Sequence, residues 1–411
     1  MTGPGSSCLA LFAFALSGFA LAGCGDGGPP AGEGPVVRDS AGVEVVEYLD
    51  GLPAAPEWEA AMDDAVHLAG ELFQVRGAVR FDAGRVAVAD GGGLRVRFFE
   101  SDGSAAQPGG GGPREVGRDG EGPGEFRHLS AMMRWPGDSL LVWDRQLRRL
   151  SIFDHQGGLG RTFDLEVTER VPFAQPRGVF GDASILGSGF SQTPPGGPEG
   201  GRQRYPSPTY RFGPEGDLRE ELGLAFAPES YFEMVRGGFT VLPVLFPRAT
   251  RLVAGPDVLV EAASDHFQLQ IRTPEGELLR MIRVGGELPR ITDRMRQELI
   301  EVQMDEGVAG ARDPDEVRTA LEGMPVPERL PAFDRLAVDR LGYIWVELYP
   351  EIPGSTSRWV VFGPDGEVAG QIELPRRFEP LEIGSDYMVG VLTDELDVEH
   401  VVVAELGRRS E

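Results

Sequence analysis

Few residues of this chain combine side-chain type and spacing in a way that supports chemistry. Its five histidines, at positions 67, 128, 155, 266 and 400, are scattered and show no metal-ligand spacing. Asp90 and Asp144 follow equivalent β-segments, and we expect them to cap turns rather than form an acid–base pair. Ser188 lies between two glycines but lacks the strand–serine–helix context of a nucleophile elbow. We therefore predict no catalytic residue, no metal site and no cofactor.

Composition favours an all-β protein that does not bind nucleic acid. The 411 residues include 58 Gly and 33 Pro, which suits many short strands and turns. The formal net charge is −26 and there is no lysine, whereas binding to phosphate backbones requires a basic surface.

The N-terminus reads as a secretion signal followed by a lipid-attachment site. An apolar run over residues 9–21 has the length of a signal-peptide core and is short for a membrane span. It ends in Leu21-Ala22-Gly23-Cys24, which resembles the bacterial lipobox, although residues 1–7 lack the usual positive charge. The resemblance implies a lipoprotein signal peptide at 1–23 and lipidation of Cys24; a cleaved secretory signal with an incidental cysteine is the alternative. Residues 24–37 then form a flexible, glycine- and proline-rich tether.

A repeated turn motif gives the architecture of the remaining chain. Five β-runs end in a short turn closed by a glycine, at positions 103, 157, 216, 276 and 366. The intervals are 54, 59, 60 and 90 residues, so the last holds one repeat and about thirty further residues. Regular spacing of this size is typical of blade repeats.

The two ends of the chain suggest how these repeats close. Gly42 and the β-run at 43–47 resemble a turn and an outer strand, whereas the β-runs at 387–392 and 399–406 have no outer strand after them. We predict that the N-terminal strand 43–47 completes the last blade, so that no sheet edge stays open. The expected fold is a six-bladed β-propeller of four-stranded antiparallel blades over residues 38–411.

These segments resemble six-bladed β-propeller proteins of the NHL-like kind, in particular a bacterial lipoprotein family of the cell envelope. The resemblance rests on Asp39-Ser40-Ala41-Gly42-Val43, Gly120-Glu121-Gly122-Pro123-Gly124-Glu125-Phe126, Asp138-Ser139-Leu140-Leu141-Val142, Arg149-Leu150-Ser151-Ile152-Phe153-Asp154, Pro331-Ala332-Phe333 and Gly342-Tyr343-Ile344-Trp345-Val346. It implies a fold without a catalytic signature. Lactonase-type propellers hold calcium with acidic and Asn ligands, and this chain contains no Asn.

One helical insertion is expected, at about residues 291–323. Residues 292–306 carry apolar side chains at Met295, Leu299 and Val302, which suits an amphipathic helix. A second helix begins with Asp313 as N-cap and Pro314 at its first position, and Gly323 ends it.

The long connecting segments all fall on one face of the predicted disc. They span residues 105–125, 187–208, 222–247, 288–331 and 348–357, whereas the turns of the other face are short. Insertions on a single face suit a binding surface on a rigid scaffold. Alignment of the innermost strands places four polar residues at matching positions facing the channel, where they could contact a polar or anionic ligand: Arg76, Ser130, Gln175 and Asp334.

The sequence therefore predicts a monomeric binding module rather than an enzyme. We expect it in the bacterial cell envelope, facing the periplasm or the exterior and held to the membrane only by its lipid. Its loop-rich face would bind an unknown protein, peptide or glycan. The alternatives are a metal-dependent, lactonase-like hydrolase or lyase, and the sensor part of an envelope signalling system.

Overall fold

The computed structural model describes residues 34–106, 115–193, 197, 199–235, 238–242, 244–305, 313–351, 354 and 356–408. The predicted signal peptide at 1–23, Cys24 and most of the predicted tether lie outside the described residues. The first strand begins at Val36 and so includes the last two residues assigned to the tether. No helix in the described part of the chain is long and apolar enough to cross a membrane.

The described chain consists mainly of strands. Strands β1 to β8 are Val36–Ser40, Val43–Tyr48, Glu59–Ala60, Val66–His67, Val75–Arg80, Val86–Asp90, Arg95–Phe99 and Glu115–Val116. Strands β9 to β17 are Leu129–Trp135, Ser139–Asp144, Arg149–Asp154, Leu159–Asp164, Gln175–Val179, Ile185–Ser188, Gly201–Gln203, Pro206–Phe212 and Leu218–Phe226. Strands β18 to β23 are Ser230–Val235, Gly238–Leu242, Thr250–Ala254, Leu259–Ala263, Gln268–Arg272 and Leu278–Val284. Helices α1 (Asp293–Asp305) and α2 (Pro314–Gly323) precede β24 to β30, which are Phe333–Val338, Ile344–Leu348, Thr356–Phe362, Val368–Pro375, Phe378–Ile383, Tyr387–Thr393 and Glu399–Gly407.

Antiparallel four-stranded units dominate the fold. Four sheets have the orders β5-β6-β7-β8, β9-β10-β11-β12, β13-β14-β16-β17 and β24-β25-β26-β27, and β20 to β23 form the same unit within a larger sheet. The predicted turn glycines are confirmed, because the N–H groups of residues 103, 157, 216, 276 and 366 each donate to the carbonyl three residues earlier at 2.9 Å. All five have positive φ, which glycine adopts without strain.

The sheets are arranged as in a propeller. First strands of neighbouring four-stranded units pack side by side, with β5 between β28 and β9, β13 between β9 and β20, and β20 beside β24. Apolar clusters fill the spaces between successive sheets; Phe98 and Leu140 share one, and Trp143 and Phe212 share another. The sheets are therefore held together by face-to-face hydrophobic packing.

The predicted closing strand is wrong, although the N-terminal region does pair with the C-terminal strand. Residues 43–47 belong to β2, which pairs in parallel with β23 and antiparallel with β1. The C-terminal strand β30 pairs instead with β3, where Ala60 faces Leu406, and with β4, where Val66 faces Val403. Val46 and Tyr48 are buried in a cluster shared by the sheets of β20–β23 and β24–β27, so hydrophobic packing holds β2 there.

The N-terminal segment from β1 to β4 thus crosses the outer edges of three sheets. After β2, the Trp58 N–H donates to the Gln371 carbonyl of β27 at 2.7 Å, and β3 and β4 then reach β30. We call this part of the chain, residues 36–67, the belt.

Three of the long segments build a compact structure that we call the cap. It consists of the three-stranded sheet β15-β18-β19 and helices α1 and α2. Leu242 and Phe246 pack against Ile300 of α1 and Leu321 of α2. The predicted helices are confirmed, and the Asp313 side chain accepts the Asp315 N–H at 3.0 Å as the N-cap of α2. The segment 105–125, predicted as a long loop, contains β8.

Candidate functional site

The four polar residues predicted to face a channel lie in the first strands of four sheets. Arg76 lies in β5, Ser130 in β9, Gln175 in β13 and Asp334 in β24. The Ser130 hydroxyl donates to the His128 carbonyl at 3.2 Å, and Arg76 contacts Gln74 at 3.5 Å. Cys24 lies outside the described residues.

Gln175 does line a cleft, of about 450 Å³, on the side of the sheets that carries the cap. We call it the cap-side cleft. It lies between the sheet of β13, β14, β16 and β17 and strand β20, whose Thr250, Arg251 and Leu252 form one wall. Its size is within the range of small-molecule sites, roughly 300–1,000 Å³.

The lining of this cleft is cationic in an otherwise acidic protein. Arg145, Arg177 and Arg251 line it, and no Asp or Glu is among its described lining residues. Arg251 is paired, because its guanidinium contacts the Asp334 carboxylate at 3.4 Å. In the described structure, Arg145 and Arg177 have no carboxylate partner, and Arg177 Nε donates only to the Ser188 hydroxyl, at 2.7 Å. Arg177 is exposed in the wall of the cleft, and partial desolvation of its guanidinium by the surrounding protein lowers its pKa.

Hydroxyl groups and aromatic rings complete the walls. Ser191 and Ser207 face each other with their oxygens 2.9 Å apart, and each can also bond to a ligand. Phe190 stacks on Phe173 with ring centroids 4.0 Å apart, while 58% of Phe190 remains exposed. The free face of Phe190 is therefore an apolar platform beside the arginines.

The cap is fixed close to this cleft by a buried ion cluster. The Glu229 carboxylate receives hydrogen bonds from Arg202 and Arg248, both at 2.6 Å. Burial opposes the charge of Glu229, but the hydrogen bonds with Arg248 and Arg202 outweigh it and lower the pKa of the carboxyl. Arg204 lies between the cap and the cleft, where it pairs with Asp265 at 2.9 Å and donates to the Thr250 hydroxyl at 2.9 Å.

The residues predicted from the sequence include Gln175 but not the arginines that line this cleft. Arg177 is two residues after Gln175 in β13, and the two-residue period of a strand could have indicated it. Arg145 comes directly after β10 and has no such signal. Its place beside Arg177 depends on the packing of β9 against β13.

Two other candidates from the sequence have structural roles. Asp90 and Asp144 cap turns as predicted, accepting N–H groups of Gly93 at 2.9 Å and Leu147 at 2.8 Å. The described residues contain no group of three or more His, Cys, Asp or Glu side chains placed to hold a metal ion.

Comparison with known proteins gives distant structural likeness. No protein-family model matches the chain, and no curated protein matches it. Among solved structures, a candidate exported protein from Bacteroides fragilis has a TM-score of 0.46 at 9% identity, covering 89% of this chain and 100% of its own. A DUF4221 family member from Bacteroides vulgatus has a TM-score of 0.47 at 11% identity, covering 87% and 100%. A gluconolactonase from Xanthomonas campestris has a TM-score of 0.39 at 13% identity, covering 92% and 99%. Likeness at this level says nothing about what this chain binds.

Proposed function

We propose that this protein is a lipid-anchored, extracytoplasmic six-bladed propeller that binds an anionic ligand in its cap-side cleft without catalysis. The observation that carries the proposal is the pair Arg145 and Arg177, which lack carboxylate partners in the described structure although the chain has a net charge of −26. Guanidinium groups in such surroundings suit carboxylate, phosphate or sulfate groups, which accept paired N–H bonds.

The remainder of the cleft indicates what else the ligand carries. Phe190 and Phe226 offer apolar surface, and the hydroxyls of Ser191 and Ser207 offer hydrogen bonds. An acidic sugar of a glycan, or the acidic end of a peptide, combines these features. The volume of about 450 Å³ accommodates one such group rather than a whole protein domain.

The proposed localisation and blade number rest on separate observations. The lipobox-like segment ending at Cys24 supports export and lipidation. A ring of six blades is supported by the succession of packed first strands from β28 through β5, β9, β13 and β20 to β24. Arg335 of β24 then donates to the Phe378 carbonyl of β28 at 3.4 Å, which joins the two ends of that succession. No described feature favours the metal-dependent hydrolase.

Calorimetric titration with phenyl phosphate, benzoate and the neutral benzyl alcohol tests the proposal. We expect the two anions to bind and the alcohol not to bind, with affinity falling as salt is added because the attraction is electrostatic. Arg177→Gln removes a charged hydrogen-bond donor, a contribution of about 1.5–3 kcal/mol, and should weaken anion binding at least about tenfold.

Arg170→Gln is the matched control. It removes the same charge from a side chain that is 85% exposed and whose nearest carboxylate, on Glu221, is 3.9 Å away. We expect its anion affinity to stay within about twofold of wild type. Equal losses in both variants, or no anion binding by wild type, would contradict the proposal.

A further inference from the structure

A second cavity opens on the opposite side of the sheets, where short turns join first and second strands. We call it the turn-side pocket. Its volume is about 400 Å³, and its walls come from the ends of β9, β13, β20, β24 and β28. Most of its lining is apolar and includes Val179, Phe180, Ala254, Pro256, Val338 and Leu381.

Glycines let the strands that form its walls approach closely. A Cβ at Gly178 of β13 would lie 2.8 Å from the Cβ of Ala254, and one at Gly255 would lie 2.5 Å from a methyl of Val338. Neither contact leaves room for a side chain. The apolar wall of Val179, Ala254 and Val338 is therefore held by close packing of three neighbouring sheets and exists without a ligand.

Each charged group at this pocket is neutralised by another group of the protein. Arg134 donates to Glu382 at 2.9 Å, and the same carboxylate accepts the Tyr387 hydroxyl at 2.8 Å and the Arg80 N–H at 3.0 Å. Burial and the charge of Glu382 raise the pKa of Tyr387 to about 12, so its hydroxyl stays a neutral donor.

The two remaining charged residues are also paired. Asp339 accepts hydrogen bonds from the Trp345 indole at 3.0 Å and from Arg408 at 2.7 Å. Arg340 pairs with Asp82 at 3.2 Å. A charged ligand would therefore lose hydration here without meeting an unpaired opposite charge.

We propose that the turn-side pocket binds a small, uncharged, mainly apolar molecule. This inference does not depend on the anion site, which lies on the opposite side and has the opposite chemistry. The favourable free energy of binding comes from apolar surface of the ligand and of the preformed cavity that is removed from water. Affinity is consequently insensitive to salt, unlike that of the cap-side cleft.

Fluorescence titration with neutral aminoanthracene tests the proposal, with anthracene carboxylate as the charged analogue. Wild type should bind aminoanthracene saturably, at least about tenfold more tightly than the carboxylate, and equally well at low and high salt. Hydrogen–deuterium exchange of the wild-type complex should be slowed at residues 254–258 and 337–340. Val179→Phe, and independently Val338→Phe from another sheet, should weaken binding at least about tenfold by filling the pocket.

Val241→Phe is the matched control, since Val241 is 55% exposed on the cap and lines neither cavity. Arg177→Gln should also leave aminoanthracene binding unchanged, which separates this site from the anion site. Absence of saturable binding by wild type overturns the proposal, and so does exchange protection confined to other residues. The fluorescence titration and the hydrogen–deuterium exchange both use wild type. They therefore test the proposal even if neither Val179→Phe nor Val338→Phe folds.

Discussion

Replacing Trp58 by alanine tests whether the belt holds the sheets in place. Trp58 is 6% exposed and packs edge-on against Trp345 and Tyr343, with ring centroids 5.5 and 5.8 Å away. The guanidinium of Arg408, directly after β30, lies 5.1 Å from the Trp58 ring. One side chain of the belt therefore contacts both the sheet of β24–β27 and the C-terminal end of the chain.

The size of the effect follows from this burial. A tryptophan buries about 150–250 Å², which at about 25 cal/mol per Å² corresponds to ~4–6 kcal/mol. Measured substitutions of buried Phe or Trp by alanine destabilise proteins by about 3–5 kcal/mol. We expect Trp58→Ala to reduce the free energy of unfolding by about 4 kcal/mol.

Equilibrium denaturation in urea, followed by far-ultraviolet circular dichroism, measures this change. Leu396→Ala is the control, because Leu396 is 84% exposed and its loss should change stability by less than about 0.5 kcal/mol. A loss below about 1 kcal/mol for Trp58→Ala would show that the belt does not hold the sheets together.

Gly370 provides a second test of the same contact. A Cβ at Gly370 would lie 2.4 Å from the Trp58 indole nitrogen, so Gly370→Ala should destabilise wild type. In the Trp58→Ala background this space is free, so Gly370→Ala should lower the free energy of unfolding by at least about 1 kcal/mol less than it does in wild type. Additive effects of the two substitutions would refute this direct contact.

Three further outcomes are expected. Tyr48→Phe should lower the free energy of unfolding, measured by urea denaturation, by about 2 kcal/mol. The reason is that the Tyr48 hydroxyl accepts the Val368 N–H at 2.8 Å and donates to the Gly366 carbonyl at 3.1 Å. An unchanged free energy of unfolding would contradict this prediction. Glu229→Gln should cost about 3 kcal/mol at neutral pH by leaving its arginines unpaired. The folded-state pKa of the Glu229 carboxyl is lowered, so the stabilisation by its charged form is fully present above the ordinary pKa of 4.5. This stabilisation is lost as pH falls through the lowered pKa, and the stability difference between wild type and Glu229→Gln should then shrink. A difference that stays constant below pH 4.5 would refute the reasoning. The proposed metal-free binding predicts the same melting temperature in calcium and in chelator, and a drop in chelator would favour the hydrolase.

The repeat was predictable from the sequence because its signals are local. The glycines at 103, 157, 216, 276 and 366 need positive φ, and that need is visible in the turn sequence itself. The cap helix α2 was equally visible, since Asp313 and Pro314 mark its start. In α1 the predicted apolar stripe was less accurate: Ile300, which the stripe omitted, is fully buried.

The closure of the chain was not predictable because it depends on which sheet edge is free. Residues 43–47 are a short run rich in valine, and such a run fits the edge of β23 as well as the edge of β30. Strands β3 and β4, which do pair with β30, have two residues each and leave no periodic signal. The cap-side cleft was hidden for a similar reason, since Arg145 and Arg177 line one cleft only because different sheets pack together.

In the lipid-anchored protein proposed above, the hairpin of β1 and β2 has a mechanical consequence. Val36 and Tyr48 lie at the same end of the hairpin, where Val36 faces Glu47, so tension on the N-terminus opens it from that end one residue pair at a time. Strand β1 is exposed along its whole length, whereas β2 also pairs with β23 and buries Val46 and Tyr48 in the core. Tension would therefore peel β1 away while β2 stays in place. Fully extended, residues 36–42 span about 24 Å, and this length would be released before the sheets themselves are strained.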